Sequence, residues 1–258
     1  MDLTIIAHRG AKGMAPENTL AAAHLAHRQG ADMWELDAGL SRDNVPMVLH
    51  DEGLLRTTDV SVLPAFVHRH PWLLDQLSLA ELRGLDAGSW FGPEFKGEAL
   101  PTLEEALALS AQLNFPVNVE LKDYGCAPAA LSSVVDQTIG LIAGLDMAEL
   151  ALISSFSQNC LRLVKERAPH LKVAVLTETG DMDDLLEACM ALKAVAAHPD
   201  QALVTPEGVA RLREAGLAVN VWTVNTAARA RELAVLGATG LITDYPMQCR
   251  EWLAAGRH

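Results

Sequence analysis

Acidic side chains stand at alternate positions in short hydrophobic runs of this sequence. Glu35 and Asp37 lie in the run 33–38, and Glu120 lies in the run 117–122. Alternate residues of a β-strand point to the same side, so Glu35 and Asp37 are predicted to share a face. Three carboxylates that converge in a protein interior need a counter-charge, because burying an isolated anion is costly. We therefore expect Glu35, Asp37 and Glu120 to bind a divalent metal ion.

The donor atoms of this set indicate the kind of metal. All three side chains offer oxygen, and the set includes no cysteine and no obligatory histidine, which suits Mg²⁺ or Ca²⁺ better than Zn²⁺. The alternative is that the acids only pair with Arg9 and Lys122 in a network of ion pairs. For one Glu-x-Asp tripeptide alone this alternative is favoured, since such tripeptides are common on solvated strands.

Two histidines stand at the ends of hydrophobic runs. His8 ends the run 3–8, and His50 ends the apolar run that begins at Val45. Near a metal site, such a pair suits acid–base chemistry at neutral pH, in which one imidazole accepts a proton and the other donates one. The alternative is a packed, neutral imidazole. Arg9 and Lys122 would supply fixed positive charge for a phosphate, and arginine can bind two oxygens at once.

Eight short β-branched or apolar runs alternate with helical patterns along the chain. This alternation is typical of βα units around a parallel sheet. The pattern predicts an α/β protein with a (β/α)8 TIM barrel, and a flat open sheet is the alternative. The active face of such a barrel is at the carboxyl ends of the strands, where the candidate residues stand. The predicted strands span 3–8, 33–38, 117–122, 150–155, 172–176, 194–198, 217–223 and 240–243.

Three of the intervening helices have recognisable ends. Residues 102–105 form a capping box ahead of one helix. Residues 205–206 provide a cap and a first-turn proline for another, which ends before Gly216. Thr226 and Gly237 bracket a third. These signals support the placement of helices between the predicted strands.

The second predicted strand turns back on itself. Residues 41–44 have the composition of a turn, and the apolar run 45–50 follows them. Four turn residues leave no room for a crossover helix, so the pattern predicts a hairpin. A turn centred near 42 and 43 would pair position 50 with 35 and position 48 with 37. Strand alternation then places His50 on the face of Glu35 and Asp37, and a slip of one residue would reverse that face.

Residues 53–100 fit no βα unit. They include the aromatic residues Trp72, Trp90, Phe91 and Phe95 among glycines and prolines. An insertion of this length between barrel elements is more often a functional lid than an idle loop. We therefore expect a single barrel domain over 1–258, with a small cap insertion at about 53–100 after the hairpin and over the barrel mouth.

The composition limits the partners of this chain. The 258 residues carry 33 Asp and Glu against 20 Lys and Arg, a formal net charge of -13. A nucleic-acid binder needs a basic footprint, and an anionic lipid surface would repel this balance, so we expect neither nucleic-acid binding nor stable membrane association. A small anionic substrate would depend on local cations. The oligomeric state is not predicted by the sequence.

Cysteines and targeting signals point to a protein of the cytoplasm. The four cysteines are too few for a disulfide scaffold and form no C-x-x-C pair, so we expect core or free thiols. The N-terminus has no basic segment ahead of a long apolar one, which is unlike a secretory signal. No run of 18 uncharged apolar residues occurs, so no spanning helix is predicted.

Eight short blocks, spread over nearly the whole chain, carry most of these residues. They read Ala7-His8-Arg9-Gly10, Ala15-Pro16-Glu17-Asn18-Thr19, Glu35-Leu36-Asp37, Val48-Leu49-His50-Asp51, Pro101-Thr102-Leu103-Glu104-Glu105, Val119-Glu120-Leu121-Lys122, Val221-Trp222-Thr223-Val224-Asn225 and Ile242-Thr243-Asp244-Tyr245-Pro246. In this order they resemble the glycerophosphodiester phosphodiesterase family. Several blocks that agree in order are far more specific than any single motif. One departure is Ala38-Gly39, where many members have a hydrophobic residue.

The resemblance implies a phospholipase-like barrel that hydrolyses glycerophosphodiesters to sn-glycerol 3-phosphate and an alcohol. It implies either water or the glycerol 2-hydroxyl as the nucleophile, and the order in which the two histidines act is open. Position by position, it implies the metal ligands Glu35, Asp37 and Glu120, the acid–base pair His8 and His50, the phosphate contacts Arg9 and Lys122, and a wall of the glycerol side at Trp222.

Two other functions are compatible with the same blocks. A lysophospholipase D or sphingomyelinase D would share the barrel, the metal and the histidines, but it needs an exposed apolar approach for its lipid. An acidic chain with 5% aromatic residues gives little sign of one. A barrel that binds glycerophosphodiesters without cleaving them would be expected to lose a histidine or a metal ligand, and this sequence retains all of them.

Overall fold

A closed parallel barrel forms the body of the protein. The computed structural model describes residues 3–125 and 127–255. Its strands are β1 (Thr4–Ala7), β2 (Met33–Leu40), β3 (Pro46–Val48), β4 (Val117–Leu121), β5 (Ala151–Ser155), β6 (Lys172–Thr177), β7 (Ala196–Pro199), β8 (Ala218–Val221) and β9 (Gly240–Thr243). Eight are parallel neighbours, and pairing of β1 with both β2 and β9 closes the ring, while β3 pairs only with β2. The prediction of a (β/α)8 barrel is confirmed.

Helices connect the barrel strands in the described residues. They are α1 (Leu20–Arg28), α2 (Leu79–Leu82), α3 (Leu103–Leu113), α4 (Pro128–Gly144), α5 (Gln158–Arg167), α6 (Met182–Ala191), α7 (Pro206–Glu214), α8 (Ala227–Leu236) and α9 (Pro246–Ala254). The predicted ends of three helices are confirmed. Thr102 and Glu105 form a capping box at α3, Thr205 caps α7, and Thr226 caps α8 ahead of a left-handed Gly237.

The strands are apolar because both faces of the sheet are covered. Helices pack on the outside of the barrel, and the residues that point inward pack on one another. A continuous cluster of buried side chains therefore runs through the strands and helices, with Trp34, Leu36, Val119 and Leu121 among its members. Polar side chains enter this interior mainly toward the carboxyl ends of the strands, which marks that end as the place for chemistry.

The hairpin of β2 and β3 has a register that differs from the prediction by one residue. Val48 lies opposite Ala38, not opposite Asp37. The loop is longer than assumed, because Ser41 N donates to Val45 O and the loop includes a left-handed Asn44. The predicted pairing of position 50 with position 35 is therefore wrong. The β3 strand ends at Val48, so strand alternation does not determine the direction of the next two side chains.

The segment 53–100 lies between β3 and α3 and has little regular structure. It includes α2 and two short 3₁₀ turns, Leu74–Gln76 and Pro93–Phe95. Its side chains form a separate hydrophobic cluster, in which Leu54, Leu77 and Leu82 are fully buried. This cluster explains how an insertion without a βα unit is held in place. A covering role for the segment over the barrel mouth stays a prediction.

The cysteines in the described residues lie in the core. Cys160, Cys189 and Cys249 are buried in the main hydrophobic cluster, and burial raises the pKa of Cys189 and of Cys249 to about 12. Cys126 lies outside the described residues. None of the helices within 3–125 and 127–255 is both long enough and apolar enough to cross a bilayer.

Candidate active site

A cavity of about 780 Å³ opens at the carboxyl ends of the barrel strands. Asp37 is fully buried beside it, in one group with Glu35 and Glu120. The structure thus brings all eight predicted site residues to one place. Those that line the cavity directly are His8, Arg9, Glu35, His50, Glu120, Lys122 and Trp222.

The three carboxylates converge where β2 and β4 run side by side. Asp37 pairs in register with Glu120, and Glu35 lies two residues earlier on the same strand. One oxygen atom of each carboxylate lies within 4.8 Å of the others. All three side chains are buried. A shared face of two parallel strands therefore forms the cluster that the Glu-x-Asp spacing predicted.

Their mutual repulsion in a buried position shifts the pKa values of the carboxyl groups. Burial, reinforced by the charges of Asp37 and Glu120, raises the pKa of Glu35 well above its ordinary value. Burial and the charge of Asp37 also raise the pKa of Glu120, to about 7. Burial works the same way on Asp37, but the positive charges of Lys122 and Arg9 outweigh it and lower the pKa of that carboxyl. The protein's own cations thus balance the cluster only in part.

The buried oxygens of this cluster fit a bound divalent cation. Asp37 Oδ1 accepts no hydrogen bond from any described residue, and the ammonium of Lys122 lies 3.4 Å away. An unpartnered, buried carboxylate oxygen among two further carboxylates is a donor set for a hard metal ion. Lys122 Nζ donates to Glu120 Oε1 at 2.7 Å, so the ion pairs considered as an alternative are present as well.

The loop after β1 carries Arg9 into the acidic cluster. The Arg9 amide donates to Glu35 Oε2 at 2.8 Å, and its guanidinium Nε lies 3.3 Å from Asp37 Oδ2. The chain can turn there because Gly10 adopts a φ of +82°, and a Cβ at Gly10 would lie 2.6 Å from the Cβ of Ala22. Arg9 is thereby fixed at the cavity wall.

Glu17 and Asn18, in the same loop, form hydrogen bonds that hold Arg9 and Asp37 in place. Glu17 Oε1 accepts from Arg9 Nη1 at 2.9 Å, and Asn18 Nδ2 donates to Asp37 Oδ2 at 2.8 Å. Glu17 and Asn18 are both buried. These contacts explain why a glutamate and an asparagine occur together ten residues after the first strand.

His8 is held by a carboxylate from the other end of the chain. Its Nδ1 lies 2.7 Å from Asp244 Oδ1, and Asn225 Nδ2 donates to Asp244 Oδ2 at 2.8 Å. Burial lowers the pKa of His8 below its ordinary value, against the effect of this hydrogen bond. A neutral His8 that donates its Nδ1 proton to Asp244 keeps Nε2 as a proton acceptor.

His50 has a carboxylate partner of its own. Its Nδ1 lies 2.7 Å from Asp51 Oδ1, and Tyr124 Oη donates to the His50 carbonyl at 2.8 Å. Burial lowers the pKa of His50, while the charge of Asp37 opposes that change. A Cβ at Gly39 would lie 3.3 Å from Tyr124 Cε2, so a larger residue there would require the ring to shift by a few tenths of an ångström. Both histidines therefore present one nitrogen to a carboxylate and keep the other available.

Aromatic side chains form one wall of the cavity. The indole of Trp222 donates from Nε1 to the His198 carbonyl at 2.8 Å. The ring of Phe156 meets that of Trp222 edge to face, with centroids 5.6 Å apart. Phe156 also lines the cavity although 42% of it is exposed. This wall offers an apolar surface in the cavity that the charged groups also line.

Several supporting residues were not assigned a role from the sequence. Asp244 directly follows the last strand and Asp51 directly follows His50, so the rule of polar residues at strand ends could have identified both. Tyr124 lies in a loop, and Phe156 directly follows β5 without a polar group to mark it. No spacing in the sequence indicates their contacts.

Comparison with known proteins gives a consistent result. Residues 8–248 match the model of the glycerophosphoryl diester phosphodiesterase family. A glycerophosphodiester phosphodiesterase of Caldanaerobacter subterraneus is 35% identical over 95% of this chain and 96% of its own, and one of Bacillus altitudinis is 34% identical over 94% of each. A structure of an Oleispira antarctica phosphodiesterase in complex with the product sn-glycerol-3-phosphate superposes with a TM-score of 0.87, at 31% identity and with 97% of this chain and 96% of that chain covered.

Proposed function

The chain belongs to the glycerophosphoryl diester phosphodiesterase family, and we propose that it hydrolyses glycerophosphodiesters to sn-glycerol 3-phosphate and an alcohol by metal-assisted acid–base catalysis. It is a phosphodiesterase, as its relatives are. We further propose that the product is sn-glycerol 3-phosphate, which one structural neighbour holds, and that the metal is Mg²⁺ or Ca²⁺. Each residue around the cavity then has a specific role in the reaction.

One observation carries the proposal. Two histidines, each with a carboxylate on Nδ1, line a cavity that lies beside a cluster of three buried carboxylates. A phosphodiester resists attack because its negative charge repels nucleophiles, so a site for it needs positive charge beside acid–base groups. The cavity provides both within one space.

The cationic groups balance the substrate's charge. Arg9 and Lys122 line the cavity and bind the phosphate oxygens. A metal ion held by Glu35, Asp37 and Glu120 would add Lewis-acid stabilisation of the charge that develops on the phosphate. Trp222 and Phe156 give the glycerol moiety an apolar wall.

The histidines move the protons. One imidazole accepts the proton of the attacking hydroxyl through Nε2, and the other donates a proton to the oxygen of the departing alcohol. Asp244 and Asp51 keep the Nδ1 protons in place, so that each ring presents Nε2 to the cavity. The reaction consumes one water molecule. The two imidazoles exchange protonation states when the alcohol leaves, and opening of a cyclic phosphate by water, or proton exchange with solvent, restores them.

The test is a product assay with purified protein. A panel of glycerophosphodiesters and lysolipids is incubated with and without a chelator, and sn-glycerol 3-phosphate and free alcohol are measured. We expect sn-glycerol 3-phosphate from the glycerophosphodiesters, loss of activity in excess chelator, and recovery with Mg²⁺ or Ca²⁺ better than with Zn²⁺. Full activity in chelator, with no metal found by elemental analysis, would contradict the metal dependence. Faster release of alcohol from lysolipids would favour a lysophospholipase D.

A further inference from the structure

Arg56 lies between two carboxylates that support the proposed catalytic groups. Its Nε and Nη2 donate to Asp51, at 2.6 and 3.1 Å. Its Nη1 and Nη2 donate to Glu17, at 2.9 and 2.8 Å. The planar guanidinium thus makes a two-bonded contact with each carboxylate, a geometry that lysine cannot reproduce.

Each of these carboxylates holds a residue of the cavity wall. The Asp51 oxygen that accepts from Arg56 Nη2 also lies 2.7 Å from His50 Nδ1. The Glu17 oxygen that accepts from the same nitrogen also accepts from Arg9 Nη1 at 2.9 Å. Arg56 is therefore the link that joins the partner of His50 to the partner of Arg9.

The backbone around Arg56 is fixed by the insertion. Leu54 is fully buried in the separate hydrophobic cluster, and Thr58 Oγ1 donates to the Leu54 carbonyl at 2.7 Å. Thr57 is also buried. A side chain on such a segment has a fixed position and can therefore hold its hydrogen-bond partners in place.

Arg56 is not built to hold the substrate itself. It is absent from the described residues that line the cavity. A guanidinium has five N–H groups. Four of them donate to the two carboxylates, so the one that remains cannot make a paired contact with a phosphate. Its side chain is 45% exposed, and an exposed ion pair alone contributes little to stability. Any effect of Arg56 on activity must therefore come from the way it positions Asp51 and Glu17.

We propose that Arg56 is a positioning residue, which sets the orientation of His50 through Asp51 and of Arg9 through Glu17. The inference rests on the proposed function, because it gives His50 and Arg9 their roles in the reaction. It assigns the insertion a part in the chemistry: the segment supplies the cation that aligns two sides of the site.

The test compares kcat and KM in three proteins, namely the wild type, Arg56→Ala and Arg56→Lys. A misplacement of about 1 Å in a catalytic group can cost about 10²-fold in rate. We expect Arg56→Ala to lower kcat by about 10- to 100-fold through His50 and also to raise KM through the phosphate contact Arg9, and we expect Arg56→Lys to recover only part of the loss. Methylguanidinium added to Arg56→Ala should restore activity in a saturable manner, since the vacated position is open to solvent.

A matched control lies in the same insertion. Arg83 Nη2 donates to Glu105 Oε1 at 2.6 Å and Nη1 donates to the Leu100 carbonyl at 3.4 Å, and neither partner belongs to the site. Arg83→Ala should therefore keep the wild-type kcat. In a double-mutant cycle, Arg56→Ala should cost much less on an Asp51→Asn background than on the wild type, because the two changes remove one linkage.

Other outcomes would overturn the inference. Wild-type kcat and KM in Arg56→Ala with a lower melting temperature would make Arg56 only structural, and a change in KM with an unchanged kcat would contradict its effect on His50. Additive losses in the cycle would mean that Arg56 does not act through Asp51. Absence of product from the wild-type protein would instead contradict the proposed function, so the two failures are distinguishable.

Discussion

His8 Nδ1 lies 2.7 Å from Asp244 Oδ1, although 236 residues separate them in the sequence. The contact exists because β1 pairs with β9 when the barrel closes, so the residues after both strands meet at the same edge. Asn225, from the loop after β8, fixes the second oxygen of Asp244. Closure of the barrel therefore determines which nitrogen of His8 faces the cavity.

Asp244→Asn is expected to impair the chemical step. Asp244 accepts from His8 Nδ1 on one oxygen and from Asn225 Nδ2 on the other, whereas asparagine has only one oxygen. If that oxygen accepts from His8, the amide NH2 faces the donor of Asn225, and if it accepts from Asn225, the NH2 faces His8 Nδ1 and favours the other tautomer. We expect kcat to fall by about 10²-fold, the low end of the contribution of a general acid or base, with KM little changed. Steady-state kinetics measure this, with Asp136→Asn, which alters a surface ion pair to Arg167, as the control. Equal kcat for both variants would remove Asp244 from the mechanism.

The histidines and the cations should give different kinetic signatures. His8→Ala and His50→Ala should each lower kcat by about 10²- to 10⁴-fold in a folded protein. Lys122→Ala should raise KM as well as lower kcat, because it contacts the phosphate in both the ground state and the transition state. His24→Ala, on the exposed face of α1, is the control. If a histidine variant lost melting temperature but kept its specific activity, that imidazole would be a packing residue only.

The metal-free protein should lose stability as the pH rises through the range in which Glu120 ionises. Burial raises the pKa of Glu120 from 4.5 to about 7. A group whose pKa is raised in the folded state makes its full contribution to stability at a pH below its pKa in the unfolded state. That contribution is lost as the pH rises to its pKa in the folded state. In chelator at pH 8, the free energy of unfolding of Glu120→Gln should thus be about 1–3 kcal/mol higher than that of the wild type. At pH 4 this difference should be much smaller.

Addition of Mg²⁺ or Ca²⁺ should reverse that order at pH 8. The wild type then gains stability by binding the ion in its folded state, and Glu120→Gln gains less because it has lost a ligand. Thermal melts of both proteins at each pH, with and without metal, measure the four differences. A wild type that is more stable than Glu120→Gln at pH 8 even in chelator would contradict the raised pKa of this group.

The barrel could be predicted from the sequence because its signals are local and repeated. Each strand is an apolar run, and the helices α3, α7 and α8 begin at capping residues that need only their own neighbours. The polar residues at strand ends could be predicted to meet for the same reason, since a closed barrel brings all carboxyl ends to one rim.

The parts that could not be predicted depend on long-range geometry. Position at a strand end marks Asp244 and Asp51 as candidates, but their pairing with His8 and Arg56 depends on barrel closure and on the packing of the insertion. The hairpin register was wrong for a more local reason. Asn44 adopts a left-handed conformation that lets the loop hold one more residue, and the sequence allows either loop length.

The observed register of the β2–β3 hairpin predicts where an inserted residue would impair activity. Glycine inserted after Gly39 would lie within the β2–β3 ladder and shift the pairing of Leu40 with Pro46, whereas glycine inserted after Asp43 would lie in the loop. The first insertion should displace β3 and with it His50, so we expect a loss of activity of about 10²-fold or more. The second should be absorbed, because one residue adds only a few tenths of a kcal/mol to the cost of loop closure. Assays of both variants, with circular dichroism as a check on folding, decide between them. Equal activity in the two would show that the position of His50 does not depend on this ladder.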